Sequence, residues 1–147
     1  MVKLSCFPSE CEPKAKVIVS KDITKCEHRA VNTDCCDVRQ YQIDGKVITG
    51  KEERCDWLVL NDDKKDAYYI ELKGSDIKKA IAQIENTEKL LKSDLAQYTS
   101  FFRIIYKSNS HSVDDASTIK WKYKCGRDKK SNKAIAIIKQ MRYEEEI

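Results

Sequence analysis

Asp56, Glu71 and Lys73 are the residues of this 147-residue chain whose types and spacing best suit chemistry. Asp56 lies in the apolar run Cys55-Asp56-Trp57-Leu58-Val59-Leu60, and the other two lie in Ala67-Tyr68-Tyr69-Ile70-Glu71-Leu72-Lys73. Short apolar runs bounded by polar clusters read as buried strands. Charges inside such strands are expensive unless they are paired or bind metal. Two carboxylates and a lysine converging from neighbouring strands would hold Mg²⁺ or Mn²⁺ through hard oxygen ligands and place a cation beside them. That combination suits hydrolysis of a phosphodiester.

The elements around these residues decide what the pattern is worth. Glu-x-Lys also occurs at Glu12-Pro13-Lys14, where no strand surrounds it. At the later position, strand alternation puts Glu71 and Lys73 on one face and Leu72 on the other. Gly74 is expected to end the strand, with Ser75 or Asp76 capping a helix that follows at once. Ile77, Ala80, Ile81, Ile84 and Leu91 recur at helical spacing and predict an amphipathic helix from about Asp76 to Leu91. Its polar side carries Lys78, Lys79, Glu85, Glu88, Lys89 and Lys92.

Elsewhere the pattern is mixed. Residues 1–16 show no period, Val17-Ile18-Val19 is a short apolar run, and residues 22–31 could form a helix opened by Asp22. Asp44-Gly45, between Val38–Ile43 and Lys46–Thr49, predicts a hairpin. Strands are expected over 54–60, 67–73 and 101–106. In Thr118–Cys125, Ile119, Trp121, Tyr123 and Cys125 alternate with Thr118 and three lysines, which predicts a half-buried strand. Residues 134–141 are expected to pair with it across a basic loop. The result is one α/β domain, α+β by order of elements. Its core spans about residues 20–106, and a C-terminal β-hairpin is added over 110–147.

Composition bounds the reading. Charged residues are 35% of the chain, and no apolar stretch approaches the ~20 residues that span a bilayer. The N-terminus has no signal-peptide core, so a cytoplasmic location is expected. The net charge of +4 permits a nucleic-acid partner without requiring one. Residues 117–142 hold many basic residues against the single acid Asp128. Within them Lys120, Lys122, Lys124, Arg127, Lys129 and Lys130 could meet a phosphate backbone, or simply solvate a strand edge. Seven cysteines without a secretory signal are expected to be reduced. Cys26, His28, Cys35 and Cys36 could form a zinc site, but their spacing suits buried small hydrophobes better.

The stretch from Asp56 through Lys73 to the following helix resembles the core motif of the PD-(D/E)xK, or restriction endonuclease-like, nuclease superfamily. The resemblance covers about residues 36–106 and is most specific over 55–84. It implies a mixed central sheet flanked by helices, with Asp56 and Glu71 binding Mg²⁺ or Mn²⁺ and Lys73 catalytic. It also implies the Leu72 backbone carbonyl as a further ligand and Gln83, on the helix, as a polar group facing the site. Cys55 stands at the proline position of the motif. Some members add a glutamate from a preceding helix, for which Glu27 is the candidate. The expected activity is DNA endonuclease, in repair, recombination, restriction or phage defence. The alternatives are a Holliday-junction resolvase, for which a homodimer would be natural, and an inactive nuclease fold that only binds nucleic acid or protein. Nothing in the chain reads a 2′-OH, so RNA stays open as a substrate.

Overall fold

The structure, a computed structural model, describes residues 2–73, 76–107 and 114–147, with the backbone alone for Lys73. Gly74 and Ser75, expected to form the turn, lie outside the described residues, as does His111. Among the described residues there are eight strands and two α-helices, in two mixed sheets. The larger sheet is assembled in the order β3 (Val38–Gln42), β4 (Trp57–Asn61), β5 (Asp66–Lys73), β6 (Thr99–Tyr106) and β7 (Ala136–Gln140). The smaller one contains β1 (Val17–Lys21), β2 (Glu27–Val31) and β8 (Arg142–Glu146).

β3, β4 and β5 form an antiparallel meander. The chain then crosses through α1 (Ile77–Leu91) to β6, which pairs parallel to β5, and through α2 (Ala116–Cys125) to β7, parallel to β6. Successive crossovers that step the same way share a hand, so both helices fall on one face of the sheet. Alternation along β5 separates the two cores. Ala67 and Tyr69 pack with Ile77, Ala80, Ile84 and Leu91 of α1, and Trp121 of α2 joins the same cluster. Tyr68, Ile70 and Leu72 face the other way, against Ile18, Ala30 and Ile147 beneath the small sheet. The β5 face that carries Glu71 is therefore the helix face.

α1 forms as its periodicity predicts. Asp76 is its N-cap and accepts the Lys79 N–H at 3.0 Å. Thr87 ties this helix to the start of β4. Its hydroxyl oxygen accepts the buried Cys55 N–H at 2.8 Å and donates to the Gln83 carbonyl at 2.8 Å. Thr87→Val should leave that N–H buried and unsatisfied, and lower stability by about 1–3 kcal/mol in urea denaturation. Thr87→Ser should stay close to the parent protein. Equal stability of all three proteins would refute this role.

Three sequence expectations are corrected. Residues 118–125 form a helix, not a strand, because Thr118, Trp121 and Cys125 also recur at helical spacing and turn toward the sheet. Asp115 precedes the helix, and Gly126, at φ 67°, stops it. Among the described residues the C-terminal segment therefore forms no two-stranded hairpin with 118–125; across the basic loop there is only an isolated antiparallel bridge, Arg127 to Ala134. β7 extends the large sheet and β8 pairs parallel with β2, so residues 136–146 complete both sheets. Residues 27–31 are a strand rather than the end of a helix. The Asp44-Gly45 turn does form, with Gly45 at φ 85°, but residues 46–49 make only an isolated bridge, and β3 pairs with β4 instead.

Candidate active site

Asp56 sits immediately before β4, and its contacts bracket Glu71. Its backbone N–H reaches the Ile70 carbonyl at 3.1 Å, and its Oδ2 accepts the Leu72 N–H at 2.8 Å. The meander thus brings one half of the pattern against the other, with the Asp56 carboxylate docked on the backbone beside Glu71. Asp56 is half-buried, whereas Glu71 is fully buried. Both carboxylates act on Cys55, whose thiol is pushed well above its ordinary range by burial first, then by the charges of Glu71 and Asp56. A thiol held protonated in this way is a packing residue, not a nucleophile.

Lys73 ends β5, in register with Tyr106, and by alternation its position falls on the Glu71 face. Gln83 is half-buried on α1, one turn before Thr87. Its side-chain Oε1 is buried without a hydrogen-bond partner among the described residues. A buried amide oxygen left this way costs about 1–3 kcal/mol, so this position favours a polar group or a water supplied from outside the protein.

A cleft of about 380 Å³ opens beside Asp56 on the side of the small sheet, and neither Glu71 nor Gln83 lines it. Trp57 of β4 and Gln42 and Asp44 near the end of β3 line it on the large-sheet side. Lys21, Asp22 and Ile23, from β1 and the turn after it, close the other side. Asp44 is engaged by Arg54 at 2.8 Å. Among the described residues no three His, Cys, Asp or Glu groups form a cluster able to hold a metal ion. Asp56 and Glu71 offer two hard carboxylates near the Leu72 amide. That fits Mg²⁺, which takes one or two carboxylates and completes its shell with water and substrate phosphate.

The other expected site residues lie elsewhere. Glu27 is on β2, opposite Lys21, and does not line the cleft. The Arg142 guanidinium bonds its carboxylate and, with Arg29 alongside, holds it below the ordinary carboxylate range. Lys120, Lys122 and Lys124 are exposed on α2, where helical spacing puts Lys122 on a different side from the other two. Arg127, Lys129 and Lys130 are exposed in the loop after it. Lys130 shares a cleft with Asp66, at the opposite end of β5 from Glu71. Five residues of strand separate those ends by roughly 16 Å. Lys130 at least is therefore at the far end of β5 from Glu71. Of the proposed zinc ligands, Cys26 and Cys36 are buried among apolar residues, Cys35 is exposed, and His28 is bonded to Glu145.

The sequence reading missed the turn after β1, although Asp22-Ile23-Thr24 carries the signal of a side-chain-stabilised turn. It also missed a buried ionic cluster between the sheets. Arg103 of β6 is fully buried and forms a two-pronged bond with Glu145 of β8, at 2.7 and 3.0 Å. The same carboxylate accepts from His28 Nε2 at 2.7 Å. Burial alone would raise the Glu145 pKa, but the hydrogen bonds from His28 and Arg103 bring it down to about 2. A charge inside Phe101–Tyr106 was the visible sign that a partner must exist.

No helix among the described residues is long and apolar enough to cross a membrane. Compared with protein families, curated proteins and solved structures, the chain matches none.

Proposed function

We propose that this protein is a Mg²⁺- or Mn²⁺-dependent endonuclease that hydrolyses phosphodiester bonds in DNA, built on a restriction endonuclease-like core. The observation that carries the reading is the Asp56 carboxylate bonded to the Leu72 N–H, beside the buried Glu71. The order of elements supports it, since the sheet is mixed and the charged strand β5 is followed by an amphipathic helix, as the resemblance implies.

Asp56 and Glu71, with the Leu72 carbonyl, would hold the cation. When bound, the cation supplies an acidified water and a counter-charge for the scissile phosphate. The protein's own groups do the rest. Lys73 places a fixed positive charge where the pentavalent transition state gathers negative charge. Gln83 offers its Oε1 to orient the attacking water. Asp56 is kept in place by its bond to the β5 backbone, so it needs no rearrangement when substrate arrives.

The test is cleavage of supercoiled plasmid and of linear and four-way-junction DNA by purified protein, with Mg²⁺, with Mn²⁺ and with EDTA. The expected result is nicking or linearisation with either metal and none in EDTA. Cleavage confined to junctions would identify a resolvase. Intact DNA in every metal condition, with calorimetry showing no Mn²⁺ binding, would overturn the reading.

A further inference from the structure

Ile23 is 99% exposed, the most exposed large hydrophobic side chain among the described residues. Single exposed apolar residues need no explanation in themselves. This one differs in two respects. It stands on the rim of the cleft that contains Asp56, and the turn that carries it is fastened at several points. The Asp22 carboxylate accepts the Thr24 N–H at 3.0 Å and also bonds the Thr24 hydroxyl. The Lys25 N–H reaches the Asp22 carbonyl at 3.3 Å, and Lys25 takes a φ of 70° to close the turn. Beyond it Cys26 is fully buried, and the Glu27 N–H is bonded to the Met141 carbonyl at 3.0 Å. The backbone that carries the isoleucine is thus held by a pre-formed turn, so little of the ordering cost on binding falls on the backbone.

Trp57 lines the same cleft and brings an aromatic side chain to it; Lys21 brings a cation, while of the other two acids there Asp44 is paired with Arg54 and Asp22 is bonded within its own turn. An apolar wedge, an aromatic platform and a cation next to a carboxylate that would sit at a phosphate correspond to the parts that proteins use to unstack a base step. We propose that Ile23 inserts into the base stack of bound DNA beside Asp56, with Trp57 receiving the displaced base, so that the substrate is duplex DNA at steps that open readily. The inference rests on the nuclease reading for the placement of DNA in this cleft, and it adds the kind of DNA that is cut.

The experiment uses the full chain and duplexes with 2-aminopurine at a single site, either fully paired or beside one mismatch. Binding is followed in EDTA by fluorescence, which rises when the reporter is unstacked. Ile23 makes no core contact, so its variants should keep the fold. The parent protein and Ile23→Leu should give the rise, and Ile23→Ser should lose it. With Mg²⁺, Ile23→Ser should lose about tenfold more kcat/KM on paired than on mismatched duplex, because a mismatch has already lost part of the unstacking penalty. An equal rise with Ile23→Ser, or no rise with the parent protein, overturns insertion, whatever is cleaved. An Ile23-dependent rise without cleavage in any metal supports insertion and overturns the nuclease reading alone.

Discussion

Lys73→Ala is expected to lower metal-dependent DNA cleavage by about 10²–10³-fold, the scale seen when one pre-placed transition-state stabilising group is removed. Glu71→Gln should be equally damaging for a different reason. It keeps the shape of a fully buried side chain but replaces a hard anionic ligand by a neutral amide. The two variants should separate in calorimetry. Lys73→Ala should still bind Mn²⁺, whereas Glu71→Gln should bind it at least about tenfold more weakly. Thermal unfolding near that of the parent protein would show that both losses are chemical. Unchanged cleavage by Lys73→Ala would remove the lysine from the mechanism. Unchanged Mn²⁺ affinity in Glu71→Gln would remove Glu71 from the metal site. In Mn²⁺ affinity Asp56→Asn should lie between them, because an amide oxygen can still accept the Leu72 N–H that now anchors the carboxylate at 2.8 Å.

The second large effect concerns stability. Glu145→Ala should destabilise the protein by about 3–5 kcal/mol, because Arg103 would keep its charge in a buried site with nothing to balance it. Against a total of roughly 5–15 kcal/mol for a domain, that is a large share. The pair Glu145→Leu with Arg103→Met, which removes both charges, should recover much of the loss. In urea denaturation, a Glu145→Ala protein within about 1 kcal/mol of the parent would mean that the pair behaves like an exposed one.

The same cluster sets a pH dependence. The Glu145 carboxyl titrates near 4.5 when unfolded and at about 2 when folded. Its contribution is therefore complete above pH 4.5 and is lost as pH falls toward 2. The depression is worth about 3 kcal/mol. The parent protein should lose that much stability across this window beyond what a Glu145→Gln variant loses, and parallel curves would refute the assignment.

What could be read along the chain was local. Alternation placed Leu72 on the opposite side of β5 from Glu71, and Leu72 packs in the core beneath the small sheet. The stripe Ile77, Ala80, Ile84 and Leu91 specified α1, and Asp76 capped it. These features depend on neighbours within a few residues, so the chain states them directly. Where two periods fitted the same residues, the reading failed. Ile119, Trp121, Tyr123 and Cys125 satisfy a strand, while Thr118, Trp121 and Cys125 satisfy a helix. Stacking of Trp121 on Phe102, with ring centroids 5.9 Å apart, matches the helical alternative.

What required the tertiary structure was every pairing over long separations. The chain shows an Asp in one apolar run and a Glu in the next, but only the β4–β5 meander sets the Asp56 carboxylate against the Leu72 N–H. Residues 22–31, with a buried His28, looked like a helix until β8 arrived from the far end of the chain to pair with β2 and bring Glu145 to His28 and Arg103. That same strand pairing is why Glu27 meets Arg142 instead of the candidate site. Local periodicity declares which face a residue takes. Which partner that face meets depends on strand order and register, and these are settled by burying two cores at once.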